Sequence, residues 1–393
     1  MHKGPAVWNK RFVLINVIFF LVFSNISFFY LYPIALREMG SPDYLIGLIV
    51  GFFSAVTVVS RPFMGKAVAR KGESPVIILG IVGILLASVT YMLEKEPGIF
   101  IFLTRALHGL GFSAFIAGSF SLVARTFPAA KRAQAYGVVG ASLMSASAFC
   151  PPLGEVVVDR FGFDSLYLCA ALAAMGALLL MVVASKNISL PSSRSHRDSI
   201  TYIRLLNNRS FLYVLISTLV FAHCQSTVMN FVALFASSIG KSSGVFFAVA
   251  FSISILLLLA LSSKIDRFGK KRFLRLCYPF LVAGLFLIPK GFDSNIIFVP
   301  AALFGIAMGL LFPAHNALAA DHGSQAEKPG VMSLFTATYD TGFISGAVVS
   351  GWIAQVAELE YLFPITSILA LVGFFIVLAG PIKESEIQVH GIK

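Results

Sequence analysis

Arg105, His108 and Asp340 are ionisable side chains set inside long apolar runs, and any chemistry in this chain has to start with them. A charge in the core of a bilayer costs from about 2.5 kcal/mol upward, so such residues mark binding, coupling or an internal lock. Arg105 lies about seven residues into its run, roughly 10 Å deep at 1.5 Å per residue. His108 follows one turn later on the same face. Together they can form a cationic patch that holds an anionic or polar solute, or the arginine can clamp helices through backbone carbonyls. Asp340 lies about eleven residues into another run, close to its middle. Low-dielectric surroundings penalise the charged form of a carboxylate, so a group there can take up and release a proton. The alternative is an interhelical hydrogen bond to Thr336 or Ser345. Asn25 and His223 stand at matching mid-depth places in the first and seventh runs, and Gln225, Ser226 and Asn230 add polar groups to the seventh.

The elements that must position these groups follow from composition. The chain of 393 residues is 58% hydrophobic with 38 Phe, and only 12% of it is charged. Soluble proteins carry about 25% charged residues, so a soluble fold is excluded. Crossing ~30 Å of hydrocarbon takes about 20 apolar residues. Runs of that kind cover 12–32, 44–64, 75–93, 98–124, 134–156, 163–185, 211–238, 243–263, 273–290, 294–318, 329–353 and 358–381. That predicts twelve transmembrane helices, six on each side of a polar stretch. The run at 12–32 follows Lys10-Arg11 but lacks a small-residue cleavage site, so it is expected to be a retained helix.

Lys and Arg give the orientation. The termini and the connections near 61–71, 125–132, 186–209, 264–275 and 328 hold 24 basic residues. The opposite connections, which include Glu94 and Ser294, hold five: Arg37, Lys95, Arg160, Lys241 and Lys290. Basic connections stay in the cytoplasm, so both termini are expected there. The net charge of +12 thus reflects topology and contact with lipid headgroups, and nucleic acid is not expected as a partner. Cys150, Cys169, Cys224 and Cys277 have no ligand spacing and read as small apolar packers, so no metal site is expected. The domain division expected is 1–188, a cytoplasmic linker at 189–210 with a short surface helix near Ile200–Leu206, and 211–393.

The halves repeat. Arg70 and Gly72 align with Arg267 and Gly269 at an offset of 197, and Gly65–Gly72 is a weaker copy of the basic turn at Asp266–Arg272. Leu21–Asn25 echoes Leu219–His223 at 198, and His108–Phe112 echoes Met308–Phe312 at 200. Offsets this close to one another indicate a parallel repeat about an axis along the membrane normal. Gly72 and Gly269 permit the tight turns, and Asp266 with Arg267 can form a latch on cytoplasmic closure; in the first copy Ala69 stands at the acidic position.

On these residues the chain resembles the major facilitator superfamily. The family's loop signature Gly-x-Leu-Ala-Asp-Arg-x-Gly-Arg-Lys is met by Asp266, Arg267, Gly269, Lys270 and Lys271, and more loosely by Gly65, Arg70 and Gly72. Arg105-x-x-His108-Gly109-x-Gly111 resembles its fourth-helix signature, in which an arginine faces the central cavity. Gly137 with Cys150-Pro151-Pro152-Leu153-Gly154 resembles the fifth-helix motif of proton-coupled exporters, with Cys150 and Glu155 where glycines are usual. Phe312-Pro313 and Asn316-Ala317-Leu318, followed by Tyr339-Asp340-Thr341-Gly342, resemble bacterial sugar- and drug-efflux branches.

The resemblance implies an all-α membrane protein of two pseudo-symmetric six-helix bundles. It implies a cavity lined by the first, fourth, seventh and tenth helices, with Arg105, His108, Asn25, His223, Gln225 and Asn230 as substrate contacts. His315 and Asn316 would belong to an inner gate. The expected activity is alternating access, with Asp340 as coupling group and proton-coupled export of a small organic molecule. Uptake or facilitated diffusion of a small, anionic metabolite is the alternative. An enzyme is not expected: Gly240-Lys241-Ser242 has the tail of a phosphate-binding loop, but Phe235 occupies the place of its first glycine. HExxH, GxSxG and dinucleotide fingerprints are missing. A receptor or lipid-facing enzyme would gather its polar groups near one surface, whereas here they fall at mid-depth in both halves. The expected partners are solute, protons and lipids, with no cofactor, in a monomeric multi-pass protein of the inner membrane.

Overall fold

The computed structural model describes residues 10–127, 129–185, 202–261, 265, 269–294, 296–323 and 327–381. Among them the chain is helical, with no strand. The elements are α1 (Lys10–Phe28), α2 (Tyr32–Glu38), α3 (Asp43–Lys71), α4 (Glu73–Thr90), α5 (Ile99–Thr126) and α6 (Ala129–Ser185). They continue as α7 (Tyr202–Leu206), α8 (Arg209–Ser238), α9 (Gly244–Leu261), α10 (Lys270–Asp293), α11 (Phe298–Ala320) and α12 (Lys328–Ala379). A 3-10 turn at Phe29–Leu31 joins α1 to α2, so the first span runs on to Glu38 rather than ending near 32.

Ten of the helical runs are long and apolar enough to cross a membrane. Two of these, Gln134–Ser185 and Gly330–Ala379, are 52 and 50 residues long. A straight helix of that length would reach about 75 Å, more than twice the hydrocarbon thickness. Each contains one non-helical residue, Gly162 (φ 76) in α6 and Glu358 (φ 66) in α12. These breaks fall at the boundaries read from the sequence, and each half of a broken run is long enough for one span. A short helix, α7, forms at Tyr202–Leu206.

The chain divides into two compact units. One comprises Met1–His196 with Asn230–Ala248, the other Arg197–Met229 with Val249–Lys393. In the first, α1 buries Phe12, Ile15, Ile18, Phe19 and Val22, spaced three and four apart, against Ile77, Ile81 and Ile84 of α4, Phe115 of α5 and Met181 of α6. Lipid gives no hydrophobic drive between helices, so close backbone approach has to supply dispersion contacts. At the α4–α5 crossing a Cβ on Gly80 would sit 2.6 Å from the Phe115 nitrogen, so only glycine fits. This crossing fixes the helix that carries Arg105 and His108.

In the second unit, Tyr278 of α10 donates to the Ser217 carbonyl of α8 at 2.7 Å. Gly346 of α12 lies on the His223 carbonyl of α8, where a Cβ would come within 2.4 Å of that oxygen. That contact sets His223 and Asp340 on two tightly packed helices. Gly72 (φ 83) and Gly269 (φ 89) open α4 and α10 in a left-handed conformation that glycine adopts without penalty, as the turn signature predicts. Asp266 and Arg267 lie outside the described residues.

Candidate functional site

In the first unit, three of the expected contacts form one buried chain of hydrogen bonds. The Arg105 guanidinium donates from Nη1 to the Tyr91 hydroxyl at 3.3 Å and from Nε to the Ile49 carbonyl at 3.4 Å. The rings of Tyr32 and Phe53 lie 4.8 and 5.4 Å from its carbon, in cation–π contact. Tyr91 meets His108 Nδ1 at 3.3 Å, and His108 Nε2 meets Asn25 Oδ1 at 3.1 Å. Asn25 in turn donates to Ser88 Oγ at 2.7 Å and to the Ala170 carbonyl at 2.8 Å. Because Asn25 Oδ1 only accepts, His108 donates to it from Nε2, and its Nδ1 faces the Tyr91 hydroxyl. Arg105, His108 and Asn25 are all buried. The arginine therefore has both a backbone carbonyl and a phenol as partners, which ties α3, α4 and α5 together.

At the end of this chain stands a residue that the sequence placed in an open connection. Glu94 follows the 3-10 turn after α4 and is only 3% exposed. Its Oε2 accepts a 2.6 Å hydrogen bond from Tyr32. Burial raises its carboxyl above the ordinary value, opposed by the hydrogen bond from Tyr32, by Thr104 and by the positive charge of Arg105. Tyr32, Tyr91 and Tyr167 pack around it with ring centroids 5.0 to 6.3 Å apart. Sequence reading missed this tyrosine cage because it looked for ionisable groups in mid-span. The available signal was a Tyr91-x-x-Glu94 pair facing Tyr32 across the ends of two neighbouring spans.

The second unit holds His223, Gln225 and Asp340. His223 Nδ1 lies 3.1 Å from Ser345 Oγ, and Tyr339 donates to Gln225 Oε1 at 2.7 Å. Ser226 donates to the Phe343 carbonyl at 2.6 Å, so three polar contacts join one turn of α8 to α12. Asp340, next in sequence to Tyr339, is 8% exposed. Deeper in the unit, His315 packs in line with Phe221 and meets Ser217 Oγ at 3.2 Å. Asn230 falls on the stretch of α8 that belongs to the first unit. The structure thus brings Asn25, Arg105 and His108 together in one unit, and His223, Gln225 and Asp340 onto two touching helices in the other.

The helix-five motif has a specific partner. Pro151 and Pro152 lie inside α6, and Gly154 lets that helix approach Leu31, where a Cβ would come within 2.9 Å of Cδ1. Glu155, one residue on, accepts from the Ser243 amide at 2.7 Å, the Ser243 hydroxyl at 2.5 Å and the Gly244 amide at 3.0 Å, and from the Ser242 hydroxyl. A carboxylate thus caps the first turn of α9 and meets the positive end of its dipole. Arg70, in the last turn of α3, is exposed.

Long apolar helices, two broken at a single residue, with buried polar clusters between them mark a multi-pass membrane protein. The sequence profile of the Major Facilitator Superfamily matches residues 12–289 and 242–390, and the chain belongs to that family. An MFS-type transporter, YuxJ of Bacillus subtilis (strain 168), is 24% identical over 346 residues, covering 83% of this chain and 86% of the relative. Multidrug resistance protein 2 of the same organism is 22% identical over 397 residues, covering 94% and 97%. The crystal structure of the human organic anion transporter MFSD10 (TETRAN) shares the fold with a TM-score of 0.67 at 17% identity, covering 94% of this chain and all of that one. Members of the family bind small-molecule substrates and carry them across membranes.

Proposed function

We propose that this protein exports a small organic solute in exchange for protons, by alternating access of two repeats about a central site. Asp340 carries the proton. The observation behind this reading is the burial of Asp340 to 8% exposure on α12, beside the α8–α12 polar cluster of His223, Gln225, Tyr339 and Ser345. A carboxylate kept from water changes its charge at a large energetic difference between two surroundings, which is what couples a proton to a conformational change. Export is supported by the proline pair of α6 and by the name of the relative that is a multidrug resistance protein.

Arg105, His108 and Asn25 are the substrate contacts of the first half. The solute takes the place of Tyr91 at the guanidinium, so binding breaks one 3.3 Å hydrogen bond and leaves the Ile49 contact in place. His223 and Gln225 are the substrate contacts of the second half, and Asn230 is a further contact on the same helix, α8. The turns at Arg70–Gly72 and Asp266–Gly269 govern closure on the cytoplasmic side. The protein works as a monomer in the inner membrane with both termini in the cytoplasm, its basic connections resting on anionic headgroups. The test is transport into reconstituted vesicles across a panel of organic cations, anions and neutral solutes, with and without a pH gradient. Proton exchange predicts accumulation only with the gradient. Equal initial rates without it, and no accumulation in either case, would replace export with facilitated diffusion.

A further inference from the structure

Beside the tyrosine cage, at the end of the first unit away from Arg70 and Arg125, lies a pocket of about 330 Å³. It is bounded by the end of α2, the connection after α4 and the break in α6 at Gly162. Its charged residues are Glu38, Glu94, Asp164 and Lys95, a net charge of −2. Lys95 reaches only Asp164, at 3.4 Å, and both are well exposed, so that pair is screened by water and neutralises little of the pocket. Phe163 and Tyr167 lie along one wall with ring centroids 6.3 Å apart.

Two buried oxygens in this wall have no hydrogen-bond partner among the described residues: Glu94 Oε1 and the Tyr167 hydroxyl. Tyr32 is committed to Glu94 Oε2, and the Thr104 hydroxyl donates to the Phe100 carbonyl at 3.2 Å. Burying such a group without a partner is costly, more so when it is charged, so each one points to a missing partner. Both belong to residues that line the same pocket, which is negative, aromatic and of the size that takes a small ligand.

We propose that this pocket is a binding site for a small organic ammonium ion, which donates to Glu94 Oε1 and the Tyr167 hydroxyl and lays its apolar part along Phe163 and Tyr167. A primary or secondary ammonium supplies two or more N–H donors in one centre, and its charge is attracted by the carboxylates and by the ring faces. A neutral alcohol of the same shape lacks the charge, and a carboxylate would meet the acidic rim. The site is separate from the α8–α12 cluster and does not depend on the direction or coupling of transport.

The test is isothermal titration of the purified full-length protein with benzylammonium, against benzyl alcohol and benzoate. Benzylammonium binds in saturable fashion and the other two do not. Glu94→Gln and, separately, Tyr167→Phe each weaken it by about tenfold or more, the loss expected for a hydrogen bond to a charged group. Tyr167→Phe keeps the ring and the packing, so it reports on the site even where Glu94→Gln folds poorly. Absence of saturable binding, which would leave the pocket to water, overturns the proposal. So does equal binding of benzyl alcohol, or affinity unchanged in both variants, which would put the ammonium elsewhere.

Discussion

Lys270 Nζ lies 2.6 and 2.7 Å from the two carboxylate oxygens of Asp321, joining the first turn of α10 to the end of α11. The same place in the first repeat carries the opposite polarity. Glu73, 197 residues before Lys270, pairs with Arg125 at 2.7 Å and accepts from Ser121 at 3.1 Å. Each pair fastens a two-helix hairpin at the same end, and the swap of charge shows that the repeat keeps the contact and not the residue types. Breaking a buried pair by removing one partner leaves an uncompensated charge and costs about 3 kcal/mol or more. Lys270→Ala is therefore expected to lower the melting temperature in detergent, and the swap Lys270→Asp with Asp321→Lys to recover much of the loss. Equal melting temperatures for the single variant and the parent would show that the pair holds nothing.

How much of this was legible in the sequence depends on what sets each feature. The spans follow from apolar length, and the breaks at Gly162 and Glu358 from short polar interruptions between runs, so both could be read. The glycine turns at Gly72 and Gly269 were legible too, because a positive φ leaves few other residues. Partnership was not. Arg105 stands out as a charge in a span, but that its guanidinium meets Ile49 and Tyr91 depends on how α3 and α4 cross α5. Glu94 looked like an ordinary connecting residue, since nothing local says that Tyr32, 62 positions earlier, lies over it. Glu155 looked like a mere departure from a glycine motif, and its caps on α9 are 87 to 89 positions away.

Glu155 gives the second prediction. Its carboxylate satisfies amide donors that the first turn of α9 leaves open, a role worth about 1 kcal/mol for a neutral cap and more for a charged one. Glu155→Gln keeps one acceptor oxygen, and Glu155→Ala keeps none. Hydrogen exchange at the amides of Ser243 and Gly244 should rise modestly in the first variant and strongly in the second. Unchanged protection in Glu155→Ala would mean that another group caps this turn.

A pH dependence follows from the raised carboxyl of Glu94. An ammonium ion binds the ionised carboxylate, so its affinity is full above the folded-state pKa and falls as the pH drops through it. Since burial raises that pKa above the ordinary 4.5, the loss should be centred above 4.5. The groups that face Glu94 are Tyr32, Tyr91, Arg105 and Tyr167, with Asp164 and Lys95 at the rim. A single transition is expected in titrations from about pH 4 to about pH 8. Glu94→Gln should abolish it. Affinity that increases on acidification would carry the wrong sign.

Orientation can be read with thiol labels in a background with the four cysteines replaced. Lys66, near the end of α3, and Glu96, in the connection after α4, are both exposed and lie in segments with opposite charge bias. A cysteine at Lys66 should react only with a reagent that reaches the cytoplasm, and one at Glu96 with an impermeant reagent added outside. Reaction of both from the same side would break the span count between them.

The central claim is that Asp340 couples a proton to solute movement, and Asp340→Asn tests it most directly because it fixes the neutral form. In vesicles loaded with unlabelled solute, exchange with labelled solute should continue at near the parental rate, while accumulation driven by a pH gradient should disappear. Full gradient-driven accumulation in Asp340→Asn would contradict the account, leaving Asp340 as a packing residue and coupling, if any, to a group such as His223.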